Sequence, residues 1–193
     1  MKLMTASGAV LYEGRASSFA ELTLQAMNEN CDLRNTDFSN CDLSHITLDG
    51  MDLSGCHFNN TNLTGANLSE CRFDQARFKS TLLYDACFCE SEFKDTHFID
   101  CHFAESDFAH AKLSHCIFSS SHFMDINLHH AELHNVLYRY RNTLVKMTHA
   151  PLILKTAHGN ILHLDDVSFC NNKQMSDAKH EAIRNMLQEL YFT

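Results

Sequence analysis

A chain of 193 residues is long enough for one domain with a sizeable core. Its formal net charge of −9 and pI of about 5.8 argue against direct binding to nucleic acid, which needs a basic surface, and favour partners that carry basic patches. Protonating all 14 histidines would swing the charge from −9 to +5, so the surface potential is expected to depend on pH around 6.

The first residues, MKLMTASGAVLYEG, hold one lysine and no long apolar run, which predicts no secretory leader. No stretch approaches the roughly 18 apolar residues of a membrane span. Nine cysteines, an odd number, predict free thiols in a reducing, cytoplasmic setting. Lys2–Thr5 and Ala9–Tyr12 are predicted to pair as a hairpin around Ser7-Gly8. Ser18-Phe19-Ala20-Glu21 reads as a capping box opening a helix to about Asn28, with Phe19, Leu22 and Ala26 on one face. Residues 1–30 are thus expected to form an N-terminal cap.

From Leu33 to Leu133 every fifth residue is Leu or Phe, 21 consecutive positions in one frame, and Tyr138 continues it in decayed form. Two residues before each centre the side chain is usually small, as at Cys31, Thr36, Cys41, Cys56, Ala66, Ser91 and Cys116, with Ile46, Met51 and Ile126 as bulky exceptions. The residue between is mostly polar, as at Asp32, Asp37, Asp42, Asp52, Asn62, Asn67 and Arg72. In a straight helix, five residues drift by about 140°, so the apolar row would wind around it. In a straight strand an odd period flips the face each time. A chain that bends toward a common axis once per repeat buries every centre. Gly50, Gly55 and Gly65 fall two residues after a centre, where a corner needs a permissive backbone.

These repeats, most closely Ala66-Asn67-Leu68, Cys31-Asp32-Leu33 and Cys41-Asp42-Leu43, resemble the pentapeptide-repeat family, whose consensus is Ala-(Asp/Asn)-Leu-x-x. The resemblance covers residues 31–135. It implies an all-β solenoid: a right-handed quadrilateral β-helix of about five coils, four repeats to each, rising about 4.8 Å per coil. The residues alone leave the coil length open. Phe38, Phe58, Phe78, Phe98 and Phe118 form a column at a spacing of 20, and Phe58, Phe73, Phe88, Phe103 and Phe118 form one at a spacing of 15.

The solenoid is expected over 31–138 and a C-terminal capping or dimerisation region over 139–193. Residues 136–193 carry 7 basic and 5 acidic groups, against 6 and 16 in 31–135. Leu152–Lys155 and Ile161–Leu164 are predicted to form a hairpin around Ala157-His158-Gly159-Asn160. Ser176-Asp177 opens a helix with Ile183, Met186, Leu187, Leu190 and Tyr191 at helical spacing. That helix is expected to cap the last coil or to pair with a second copy. Some family members dimerise through this end, which implies a homodimer.

Six cysteines occupy the small inward slot, and no two of those six lie 20 apart, so they read as buried small hydrophobes. Cys87 and Cys89 flank Phe88 and are expected to face outward; a metal there would need further ligands, and none is evident. On a 20-residue coil His102 stacks with His122, and His110 with His130. The second pair continues Glu70 and Glu90 as a candidate divalent-cation column, beside the plainer reading of a solvated ladder. Asp32, Asp37, Asp42, Asp49 and Asp52 are candidate partner-binding residues. Quinolone-resistance members of the family and their mycobacterial relatives present acidic columns that mimic DNA to type II topoisomerases. Here Arg72, Arg77, Lys79, Lys94 and Lys112 interrupt the acidic rows, and no long insertion breaks the repeat.

No catalytic motif is present, and no cofactor, nucleic acid or membrane contact is predicted. The leading reading is a non-enzymatic scaffold for an unidentified protein partner. The alternatives are a DNA-mimicking modulator of gyrase or a related topoisomerase, and a metal- or pH-responsive module built on the histidine columns.

Overall fold

The computed structural model describes residues 1–119, 126–157, 159–171 and 173–191 of the chain, with the side chains of 188–191 left aside. Strands β1 (Lys2–Met4) and β2 (Val10–Glu13) pair antiparallel, and helix α1 (Phe19–Asn28) comes next. The Ser18 hydroxyl accepts the Glu21 amide at 3.1 Å, as the capping box requires. The return bond differs: the Glu21 carboxylate accepts from the amide of Ser17 at 2.7 Å, one residue earlier than expected. Leu3, Leu22 and Ala26 are buried and continuous with the repeat core. The Asp37 amide donates to the Met4 carbonyl at 2.8 Å, which ties the hairpin to the first coil.

The regular strands of the repeat region are β3 (His57–Asn59), β4 (Arg77–Lys79), β5 (Glu92–Lys94), β6 (His97–Ile99), β7 (Ser106–Asp107), β8 (Lys112–Ser114), β9 (Ile117–Ser119), β10 (Ile126–Asn127) and β11 (Glu132–His134). All pair in parallel at an offset of 20 residues, for example Phe58 with Phe78, Phe78 with Phe98 and Phe98 with Phe118. That register settles the coil at four repeats and gives the solenoid four faces.

The phenylalanines show why 20 wins over 15. Residues 20 apart stack flat: Phe58 on Phe78 at 4.7 Å and 9°, and Phe98 on Phe118 at 4.8 Å and 6°. Residues 15 apart come from adjoining faces and meet edge to face, as Phe58 and Phe73 do at 6.2 Å and 65°. The contacts at a spacing of 15 join Phe58 to Phe73, Phe73 to Phe88 and Phe103 to Phe118, and both geometries suit the ring quadrupole.

The small inward slot is a hydrogen-bonding position as well as a packing one. The hydroxyls of Thr61, Thr81, Ser91 and Thr96 donate to the carbonyls of Phe38, Phe58, Leu68 and Phe73, each 23 residues earlier, at 2.6–2.8 Å. The thiols of Cys56 and Cys71 do the same to Leu33 and Leu48 at 3.1 and 2.9 Å. Thr, Ser and Cys therefore interchange with Ala because each fits the gap and satisfies its own polar atom. Among the described residues no buried side-chain nitrogen or oxygen lacks a partner.

Each described corner residue, two after a centre, has a left-handed backbone, from Asn35 (φ 60°) through Glu70 (55°), Asp85 (54°) and His110 (59°) to Asn135 (52°). Gly50, Gly55 and Gly65 share it at φ 70°, 70° and 65°. At Gly65 a second constraint applies, since a Cβ would collide with the His45 ring one coil below.

Past the coil run β12 (Val136–Tyr140), β13 (Thr143–Met147), β14 (Leu152–Thr156), β15 (Gly159–Leu164), β16 (Val167–Cys170), β17 (Lys173–Gln174) and helix α2 (Asp177–Tyr191). β12 pairs parallel with β9 and antiparallel with β13, so the ladder reverses direction at its last rung. The expected hairpin is the first half of a four-stranded antiparallel meander, β14 to β17. This meander, rather than the helix, closes the coil: buried Phe169 of β16 packs on Tyr138 at 5.6 Å and on Tyr140 at 4.6 Å. Helix α2 rests on the meander through buried His180, which shares the Ser168 hydroxyl (3.0 Å) with His163 (2.8 Å).

The stacked rings and the docking of α2 can each be tested. Phe78→Ala removes a ring stacked on both sides and should cost about 3–5 kcal/mol, read as a shift of the denaturant midpoint. At α2, the one hydroxyl can donate to one ring and accept from the other only while the ring that accepts is neutral, and the rings lie 5.0 Å apart. Burial, then the charge of His180, holds His163 below the ordinary histidine value; Asp165 opposes this and Arg184 adds to it. The neutral form is favoured, so the stabilisation is present above the unfolded value of about 6.5 and is lost as pH falls through the folded one. Amide-exchange protection in α2, taken relative to the intrinsic rate at each pH, should fall on acidification, and His163→Gln should flatten that dependence.

Candidate binding faces

The four faces carry different chemistry. The first, on β5, β8 and β11, presents Asp52, Arg72, Glu92, Lys112 and Glu132 in register, alternating in sign from Asp52 onward. Three of its cations are neutralised locally, Arg34 on Asp32 at 2.6 Å, Arg72 on Asp74 at 3.0 Å and Lys112 on Glu92 at 3.1 Å, whereas Lys94 has no ion pair among the described residues. The second is a six-stranded sheet, β3-β4-β6-β9-β12-β13. It stacks His57, Arg77 and His97 in one column and Asn59, Lys79 and Ile99 in the next, around a hollow of about 270 Å³. The third carries Asp42, Asn62, Leu82 and His102, and the fourth Thr47, Asn67, Cys87 and Asp107.

The five candidate aspartates do not share a face. Asp32 and Asp52 lie on the first, Asp37 on the second, Asp42 on the third and Asp49 on the fourth. Four of them are occupied with the fold. A carboxylate oxygen accepts the amide two residues on, Arg34 for Asp32, Ser39 for Asp37, Ser44 for Asp42 and Ser54 for Asp52, at 3.0–3.1 Å. Asn62, Asn67 and Asn127 make the same bond with their side-chain oxygens. The Asp/Asn preference at this position is therefore a turn requirement. Hydrogen bonds from Arg34 hold Asp32 below the usual carboxylate value, and that from the Ser44 amide does the same for Asp42.

Acidic charge gathers instead at the corners, and it runs around the rod. Successive corners are Asp85, Glu90, Asp95 and Asp100, with Glu105 one coil above Asp85, and all are exposed. The corners before this belt are mostly Asn and Gly; those after it include His110, His115 and His130.

The candidate cation column is present as a column. Glu70, Glu90, His110 and His130 occupy one corner row, and the two imidazoles stack at 5.1 Å. His129 lies 3.8 Å from His130, and Lys112 shares the hollow beside Glu90 and His110. Among the described residues no three His, Cys, Asp or Glu side chains converge as metal ligands. His122, expected to stack with His102, lies outside the described residues, as does the side chain of Leu190. Of the other helix positions, Ile183 and Leu187 are half-buried and Met186 is 45% exposed.

The residues that sequence reasoning missed are those of the second face. Their signal was available, since His57, Arg77 and His97 are spaced by 20, as are Asn59, Lys79 and Ile99. Among the described residues no ion pair neutralises Arg77 or Lys79.

A family model described as "Pentapeptide repeat region" matches residues 29–96 and again 91–169. The chain belongs to the pentapeptide-repeat family. No curated protein matches it. Similar solved structures include Rfr23 from the cyanobacterium Cyanothece 51142, at 15% identity and a TM-score of 0.38, covering 49% of this chain and 60% of that one. HetL, involved in heterocyst differentiation regulation in the cyanobacterium Nostoc sp. Strain PCC 7120, is 20% identical with a TM-score of 0.33, covering 64% and 61%. QnrB1, a plasmid-mediated fluoroquinolone resistance protein, is 20% identical with a TM-score of 0.26, covering 54% and 75%. At these identities the likeness concerns the fold alone. This pentapeptide-repeat chain spans about three-fifths of the length of the first two. Among its described residues no helix is long and apolar enough to cross a membrane.

The alternating first face generates a prediction. Lys112→Glu places three carboxylates in a row with Glu92 and Glu132. It should destabilise the pentapeptide-repeat coil by about 0.5–1 kcal/mol at low salt, with most of the loss recovered at high salt. Thermal melts at two ionic strengths check it.

Proposed function

We propose that this chain is a non-enzymatic scaffold that binds a protein partner through its second face. The observation that carries the reading is the unneutralised pair Arg77 and Lys79, flanked by His57 and His97, on the longest sheet of a chain with net charge −9. In such a chain an exposed cation has many acidic groups at hand, and the neighbouring face uses them for Arg34, Arg72 and Lys112. Leaving two cations free beside a hollow suits an incoming anion.

The same face continues upward through Ile99, Ile117 and Leu137. Ile99 is 36% exposed, and Ile117 and Leu137 are half-buried. The surface therefore grades from cationic to apolar along the rod, which fits an acidic protein segment that also carries apolar side chains. A DNA-mimicking role would need negative charge running along the rod, whereas the acidic corners circle it. Nine free thiols fit cytoplasmic residence.

The test is binding of a labelled Glu- and Leu-containing peptide by fluorescence anisotropy. Arg77→Glu with Lys79→Glu should weaken binding at least about tenfold, roughly 1.4 kcal/mol, and added salt should weaken binding to the wild type. A control with Arg72→Glu and Lys94→Glu on the first face should bind as wild type does. Equal loss in both double variants would remove the second face from consideration. Sedimentation of the free chain separates this from self-association through the acidic belt of a second copy.

A further inference from the structure

Phe88 is a fully buried centre of the fourth face, so the residues on either side of it point outward together. Those residues are Cys87 and Cys89, both half-buried, and their sulfurs lie 3.2 Å apart. The five buried inward thiols face main-chain carbonyls instead: Cys41 that of Ser39, Cys56 of Leu33, Cys71 of Leu48, Cys101 of Phe78 and Cys116 of Phe93. The inward cysteines serve as packing and hydrogen-bonding elements, locked one at a time in the coil. The outward pair has a different geometry and is open to solvent.

We propose that Cys87 and Cys89 form a peroxide-oxidised dithiol, a reversible modification site on the fourth face. Cys87 is the attacking sulfur and Cys89 the resolving one. Burial, then the hydrogen bond and charge of Cys87, then Asp107, push the Cys89 thiol up to about 12.

The Cys87 thiolate attacks one peroxide oxygen, the O–O bond breaks, and the second oxygen leaves as water after taking up a proton. Cys87 is then a sulfenic acid. The Cys89 sulfur attacks the Cys87 sulfur, the S–O bond breaks, and a second water carries away the hydroxyl with the Cys89 proton. Two thiols and one hydrogen peroxide give one disulfide and two waters. The sulfurs need to close from 3.2 Å to about 2.05 Å. A bridge across one intervening residue is strained, and its target geometry is far from an extended strand. Strained, exposed disulfides are the easily reduced, regulatory kind, so the bond should open again with a mild dithiol.

The experiment treats the folded full-length chain with hydrogen peroxide, then counts thiols after denaturation and analyses the peptide containing both cysteines by mass spectrometry. The count should fall from nine to seven, that peptide should become two hydrogen atoms lighter, and dithiothreitol should restore both values. Cys89→Ser should leave a Cys87 sulfenic acid that dimedone traps, whereas Cys87→Ser should give no dimedone adduct at Cys89. The proposal is overturned if all nine thiols survive, if two chains become cross-linked through these residues, or if the peptide gains oxygen without forming the bridge. A dimedone adduct on Cys89 in the Cys87→Ser chain, with none on Cys87 in the other variant, would overturn the assignment of roles.

Discussion

The turn that the chain makes every five residues governs the rest of the structure. Each described corner sits in the left-handed region, which costs an ordinary L-residue about 1–2 kcal/mol and costs Asn, Asp and Gly less. The next coil offsets that cost. Corner amides donate to carbonyls 19 residues ahead, Asn35 to Ser54, Asn40 to Asn59 and His45 to Thr64, at 2.8–2.9 Å. A corner is therefore stable only when the coil above it lands in register, and the register holds only when each coil has the same length. The unbroken frame from Leu33 to Leu133 is the sequence record of that mutual dependence. Insertion of one residue would rotate all later centres out of the core.

The same turn divides the residues by task. Centres and slots are fixed by packing and by the bonds from Thr61, Ser91, Cys71 and their equivalents to the preceding coil. The Asp/Asn position is largely fixed by the amide two residues on. That leaves the corners, the residue after each centre, and those Asp/Asn positions where the turn bond has been given up, as at Arg77 and Cys87. The cationic face, the acidic belt and the histidine corners all occupy such positions. Surface chemistry is written in the residues that the fold does not need.

The division of tasks explains which parts were legible in the sequence. Periodicity exposed the core, because burial of Leu and Phe leaves a strict trace, and the capping-box residues Ser18 and Glu21 exposed the helix of the N-terminal cap. It could not choose between spacings of 15 and 20, because Phe58 meets Phe73 by its edge and Phe78 by its face, and both contacts favour aromatic residues. The aspartates misled because neighbours in sequence are read as neighbours in space. In a coil of four repeats, residues five apart, such as Asp32 and Asp37, stand on adjoining faces, whereas His57 and Arg77, 20 apart, are in direct register. At the C-terminal end Ile183, Met186 and Leu187 gave a clear helical period that drew the cap assignment to α2. Phe169, which does the capping, lies in a four-residue strand too short to show a period.

A rigid core also isolates the faces from one another. The second and fourth faces are opposite sides of the rod, and a continuous stack of phenylalanines, with ring centres 4.6–6.2 Å apart, fills the space between them. Such packing transmits little, because a close-packed core resists rearrangement. Charge at Arg77 and oxidation at Cys87 would then act as independent features of opposite faces, each felt by whatever touches its own face and by nothing behind it. A solenoid of this kind gains specificity by addition: each face contributes its own term to a partner that wraps the rod, and a partner that touches one face sees only that face.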